Sequence, residues 1–536
     1  MDDHRAALNP PPRWFVVTLA AAPALFIAGF YAWPVTNLLW TTVRRADESG
    51  SPFGHVGPII WFTTWQAVVS TVLTLLVGLL PAYVLARYSF RGRRALVAVT
   101  TVPFVLPTVV VGAAFLALLP QSWHGSAQAM IVAHVFFNIA VVVRLVGSMI
   151  TVIPHDLVGA ARTLGASPIQ AARLVMIPLL APALWSAAAV IFLFSFTSFG
   201  VATLLGGPTN PTLEVEIARR ATQLGDVGGA ATLSALQLGL LAVMVVWATR
   251  GQSRSALELK GAAGPRPLRT RGERVMVAGV SAAVVLAVGA PIVALVSRSF
   301  DVGNGWSISA WSKLGSAQIR PGVGLGVDPL ASIGASLRFA VVAAAIATVM
   351  GFLAATAINT SPRLGKLLDA GLMLPLGTSA VTIGLGMLIT FDAAPVDWRA
   401  RWWLIPLGHA LVAVPFVVRA LLSVLRSIPG DLRAAAATLG ATPIRTWWHV
   451  DAASLRAPLL AGAGFSAAIS LGEFGATTIL TRSGRETLPI AIGRLLGRAG
   501  ALPRAQAFAM ATILLALSTV VVMASGIHER LGPDDA

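Results

Sequence analysis

The sequence predicts an all-α polytopic membrane protein, with about twelve transmembrane helices arranged as two parallel six-helix repeats. Three observations lead there: the composition, the spacing of charge-free stretches, and an internal repeat. Of 536 residues, 56% are hydrophobic and 11% are charged. A soluble domain carries about 25% charged residues. A soluble chain of this length would need several polar exteriors, and the charges to coat them are missing. The 39 Lys and Arg outnumber the 22 Asp and Glu, giving a formal charge of +17. In so apolar a chain, that excess suits a membrane surface and not nucleic acid. The absence of cysteine excludes disulfides, thiolate metal sites and thiol catalysis.

A membrane helix needs about 20 predominantly apolar residues. In chain order, the first candidate is Trp14–Val43, too long for a typical signal-peptide core and read as a retained helix. The second ends at Ala86. Ala95–Val143 is too long for one helix and divides at the polar segment from Pro120 to Gly125, giving the third and fourth. Leu174–Leu213 holds the fifth, and Val227–Thr249 is the sixth. After the basic segment 250–274, the pattern restarts. The later stretches are Val275–Ser297, Phe339–Pro362, Ala370–Phe391, Trp402–Val418, Ala457–Leu480 and Ala505–His528. The expected organisation is therefore a first repeat at 1–249, a cytoplasmic basic linker at 250–274 and a second repeat at 275–536. If the N-terminus is cytoplasmic, 24 of the 39 Lys and Arg fall on the inner side. That bias predicts two cytoplasmic termini.

The repeat appears when residues 134–169 are laid on 409–444 at a constant offset of 275. Of these 36 positions, 17 are identical, among them Arg144 with Arg419, Asp156 with Asp431 and Gly165 with Gly440. The register continues to Phe199-Gly200 against Phe474-Gly475, and to Thr212-Leu213 against Thr487-Leu488. Agreement peaks in the loop between the fourth and fifth spans of each half, where unconstrained sequences diverge. Both loops lie on one side, so the repeat is parallel, and the expected partner is a pair of similar cytoplasmic subunits or one subunit with two similar faces. The loop chemistry predicts a short docking helix in each copy. Asp156 and Asp431 follow Ile-Pro and are expected to cap it. Ala160-Ala161 and Ala435-Ala436 keep it slim, and Gly165 and Gly440 are expected to end it.

At these loops the chain resembles the ABC-importer permeases, whose signature reads Glu-Ala-Ala, three residues, Gly, nine residues, Ile-x-Leu-Pro. The matching stretches are Gly159-Ala160-Ala161 with Leu164-Gly165-Ala166, and Ala434-Ala435-Ala436 with Leu439-Gly440-Ala441. The signature Glu is replaced by Gly159 and Ala434, and its closing Pro survives only as Pro178. The resemblance covers nearly the whole chain. It implies a type I importer fold in the bacterial inner membrane, a cytoplasmic ABC ATPase homodimer using ATP and Mg, and an extracytoplasmic substrate-binding protein. Within that family, the fused thiamine and ferric-iron permeases are the most similar. Ala133-His134-Val135-Phe136-Phe137-Asn138, Thr212-Leu213-Glu214 and Ser470-Leu471-Gly472-Glu473-Phe474-Gly475 carry that likeness, and they place thiamine ahead of iron.

No phosphate-binding loop accompanies the three lysines, Lys260, Lys313 and Lys366, so this chain is expected to bind no nucleotide or other cofactor and to act as a non-enzymatic subunit. Glu473 is the one acidic residue inside a candidate span. An intramembrane charge faces a cavity or a partner, so Glu473 is either a cation-attracting pathway group or a structural partner of nearby backbone. Its repeat partner is Ser198. Asn138 is read as a helix bridge or a pathway residue, and His134 and His409 as packing histidines, with no metal site expected. Arg144 and Arg419 read as inner-surface anchors, and Trp402-Trp403 and Trp447-Trp448 as interface anchors. The rival function is a twelve-span secondary transporter, which would need more intramembrane ionisable groups than Glu473.

Overall fold

The computed structural model describes residues 12–45, 56–252, 264–303, 305–315, 318–320, 323–324, 327–392, 397–399, 401–482 and 484–525. Among these, nine helices are long and apolar enough to cross a membrane, and twelve spans result when three bent helix pairs are each counted as one. The six of the first half are Trp14–Arg44, Gly57–Arg87, the pair Arg93–Val105 and Thr108–Leu118, Ala127–Val152, Ile169–Phe196 and Val227–Val246. Those of the second half are Arg271–Arg298, Pro329–Thr360, the pair Arg363–Gly377 and Ala380–Phe391, Leu404–Ser427, the pair Pro443–Ser454 and Arg456–Gly472, and Ala501–Ala524. The end of the sequence-predicted linker, Arg266–Pro267, pairs in parallel with Tyr88–Ser89, and residues 253–263 lie outside the described set.

Local chemistry starts these helices. Ser126 accepts a bond from the Ala129 amide at the fourth span, and Asp328 does the same for Ala331 at the eighth. Thr270 and Glu273 form a reciprocal capping box at the seventh. The third span of each half is broken into two helices. It bends by 102° after Leu106-Pro107 and by 103° before Ser379. Proline removes an amide donor, and Ser379 re-caps its restarted helix through the Val381 and Thr382 amides.

Spans two, four and five pack together in each half. A glycine permits each close approach: a Cβ on Gly78 would lie 2.8 Å from Val142, and one on Gly351 2.6 Å from Val417. Small residues let membrane helices touch without polar glue. The first span of each half crosses to the other. Tyr31 bonds Thr378 at 2.6 Å and Asn37 bonds Thr390 at 3.2 Å, joining span one to the bent ninth. Val277, Val280, Val284 and Val288 of span seven are buried in the first half's apolar cluster, beside Leu96 and Phe115.

Two expectations are corrected here. Arg144 and Arg419 do not end their spans, because the helices continue to Val152 and Ser427. Arg419 instead pairs with Asp369 at 3.2 Å. Trp447 is not an interface anchor but a buried ring against Phe15 and Phe352, while Trp448 is exposed.

Candidate coupling and translocation site

Each repeated loop holds a short helix where one is expected, His155–Thr163 and Gly430–Thr438. Each ends in the same glycine cap. Gly165 has φ +90° and Gly440 has φ +79°, a region that costs a residue with a Cβ roughly 1–2 kcal/mol. Ala166 N–H reaches back to Ala161 O, and Gly165 N–H to Arg162 O, each at 3.0 Å. Ala441 and Gly440 repeat the pattern with Ala436 and Ala437 at 3.0 and 2.9 Å. This paired bonding closes the orphan carbonyls of both helices. The N-terminal expectation is corrected by position: Pro154 and Pro429 occupy the cap positions, and Asp156 and Asp431 fall inside the first turn. Asp431 sits in the first turn, where the helix dipole favours a negative charge, and Asp156 holds the equivalent place.

At and just beyond each cap, large apolar side chains face outward. Leu164 is 89% exposed and Leu439 88%, with Ile169 at 79%. Ala160 and Ala435 are exposed between them and the helix start, as is Gly159, while Ala161, Ala434 and Ala436 are partly covered. The two halves thus present matching exposed apolar tips, at Leu164 and Leu439.

The fourth span, 26 residues or about 39 Å long at 1.5 Å per residue, separates these loops from the segment Pro120–His124. That segment borders a cavity of about 1030 Å³ on the opposite face. Both halves line it: Leu116, His124, Thr203 and Thr222 from the first, and Arg298, Asp301, Phe474, Arg494 and Arg504 from the second. Phe474 and its repeat partner Phe199 meet with ring centroids 4.9 Å apart, both buried. Equivalent residues touch in this way only near the axis relating the halves. Each follows a break after the fifth span and precedes a glycine that the bent third span crowds. A Cβ on Gly200 would lie 2.4 Å from Thr108 Oγ1, and one on Gly475 3.0 Å from Val381 Cγ2.

Residues 74–255 and 347–533 match the sequence profile of the binding-protein-dependent transport system inner membrane component. The two matches fall one in each half and together cover more than half of the chain. The chain belongs to this family. It is a multi-pass permease component. Its relatives include the thiamine transport system permease protein of Salmonella typhimurium, 24% identical over 91% of this chain and 92% of that protein. The thiamine transport system permease protein of Brucella abortus is 26% identical over 86% of each. A 2-aminoethylphosphonate transport system permease protein of Salmonella typhimurium, provisionally so named, is 29% identical over 37% of this chain and 74% of its own length.

In this permease, Glu473 directly follows the helix Arg456–Gly472 and caps the next one, Gly475–Leu480. Its carboxylate accepts from the Ala476 and Thr477 amides at 2.8 and 2.9 Å and from the Thr477 hydroxyl at 2.6 Å. His409 Nε2 lies 3.2 Å from Glu473 Oε2, and Nδ1 lies 2.7 Å from Ser470 Oγ. The structural reading of Glu473 and the packing reading of His409 both fit this geometry. Asn138 and His134 lie in a buried cluster with Gln66, Ser70 and Ser195. None of Glu473, Ser198 and Asn138 lines the cavity, although the first two adjoin the paired phenylalanines.

Sequence reading missed further buried carboxylates, of which Glu214 is the most enclosed. Glu214, just past the end of the charge-free stretch Leu174–Leu213, is fully enclosed. It accepts from Gln237 Nε2 and Ser379 Oγ, both at 2.6 Å. Ser379 belongs to the other half, so no local pattern could reveal the contact. Among the described residues, no group of three potential metal ligands occurs.

Proposed function

We propose that this chain is the transmembrane subunit of an ATP-driven importer for thiamine or a closely related compound. The observation that carries the ATP-driven part is the matched pair of glycine-capped helices with apolar tips on one face. A two-fold ABC ATPase presents two equal grooves, and the repeat supplies one such helix for each. ATP and Mg belong to that partner homodimer. The loop face is cytoplasmic, as are both termini, in keeping with the basic inner segments. The cavity then faces a substrate-binding protein outside. Thiamine is supported by relatives that span nearly the whole chain.

In this mechanism, closure of the ATPase pair moves loops 156–169 and 431–444, and the halves rock about the axis where Phe199 meets Phe474. Those rings close the pathway below the cavity. Glu473, by capping the helix after the break, and Ser198, at the equivalent place, hold the two rings in position. The deciding experiment is uptake of labelled thiamine by proteoliposomes holding the chain, its ATPase and its binding protein. Uptake should require ATP and stop with vanadate. Accumulation of ferric iron with no thiamine would reassign the substrate, and uptake without ATP would overturn the ATP-driven reading.

A further inference from the structure

The docking loops match in helix, glycine cap and a following π-helical turn, at Ala172–Met176 and Trp447–Asp451. One interaction breaks the symmetry. Arg433, in the second docking helix, donates from Nε and Nη2 to Asp451 Oδ1 at 2.9 and 2.5 Å. Its Nη2 also reaches Leu425 O at 3.4 Å. Asp451 closes the π-turn at the base of span eleven and is 6% exposed. The repeat positions in the first half are Val158 and Met176, which cannot form an ion pair. That loop is instead touched from outside, where Arg87 Nη1 donates to Ile153 O at 3.4 Å.

We propose that Arg433 and Asp451 form a positioning clamp that makes the second docking helix and the base of span eleven move as one body. The inference rests on the reading of these helices as ATPase docks. A charge-assisted, two-point contact fixes orientation as well as distance. Span eleven leads from this clamp, through its 55° bend, to Glu473 and the cavity-lining Phe474. The second half therefore carries ATPase motion to the aromatic closure more rigidly than the first, and the two docks are mechanically unequal.

The test uses the full chain with and without its partners. In hydrogen exchange on the chain alone, Asp451→Asn and Arg433→Ala should each speed exchange across 430–438 by about tenfold and leave 155–163 unchanged. In proteoliposomes, each variant should still co-purify with the ATPase and hydrolyse ATP, yet import at least fivefold fewer substrate molecules per ATP. The exchange Arg433→Asp with Asp451→Arg should restore that ratio to within about twofold. Unchanged exchange in both single variants overturns the clamp. Altered exchange with an unchanged import-to-ATP ratio overturns its role in transmission, as does an equal loss of import and hydrolysis that the exchange fails to rescue. If the unmodified chain imports nothing with ATP, the docking assignment fails, and hydrogen exchange still decides the clamp.

Discussion

Glycine at a positive φ has a cost when replaced that can be read at the ends of both repeated helices. Gly165 and Gly440 hold φ +90° and +79° with open space around them. An alanine there strains the backbone by roughly 1–2 kcal/mol without any clash. An aspartate adds a charge beside the apolar tips of Leu164 and Leu439. Gly165→Asp with Gly440→Asp should abolish ATP-driven import while membrane insertion is retained, as checked by uptake and membrane fractionation. Unaffected uptake would refute the docking assignment. At Glu473 the expectation is structural. Glu473→Ala leaves the Ala476 and Thr477 amides without their acceptor inside the bundle. A hydrogen bond to a charged group is worth about 1.5–3 kcal/mol, so thermal unfolding in detergent should shift several degrees lower. The presence of Glu473 was plain in the sequence, but its task was not. Two readings fit a lone carboxylate in an apolar run, and only the position of the next helix start separates them.

The bent third spans and the breaks after the fifth spans act together as elements. Gly200 and Gly475 let each break lie against the restarted third-span helix, near Thr108 and Val381. Gly475→Val would force these elements apart and should lower the amount of folded protein in the membrane, as size-exclusion chromatography would register. The paired rings make a gentler test. Aromatic pairs contribute about 0.5–1.5 kcal/mol beyond their buried area. Phe199→Ala with Phe474→Ala should therefore leave the protein folded but raise passive solute leakage in proteoliposomes. No increase in leakage would remove the rings from the closure. Span existence was legible because charge-free runs of about 20 residues mark the membrane. The bends at Pro107 and Ser379 were not, because an apolar run reads the same whether its helix is straight or broken.

At the scale of the whole molecule, each half lends its first span to the other. Tyr31 bonds Thr378, and the Val277–Val288 stripe fills the first half's core. Opening the chain within the linker and co-expressing both pieces should give fragments that co-purify, whereas the 275–536 fragment alone should be degraded. Independent stability of that fragment would contradict the exchange. The sequence by itself determined the membrane setting, the twelve candidate spans, the parallel repeat and the short helix in each repeated loop. These rest on composition, on periodicity and on local bonding such as the glycine caps, all of which act over a few neighbouring residues. Tertiary structure alone decided the crossing of spans one and seven, the meeting of Phe199 with Phe474, the burial of Glu214 against Ser379 and the Arg433–Asp451 clamp. The physical reason is sequence separation. Each of these contacts joins residues at least 18 positions apart, whose approach depends on how whole helices pack.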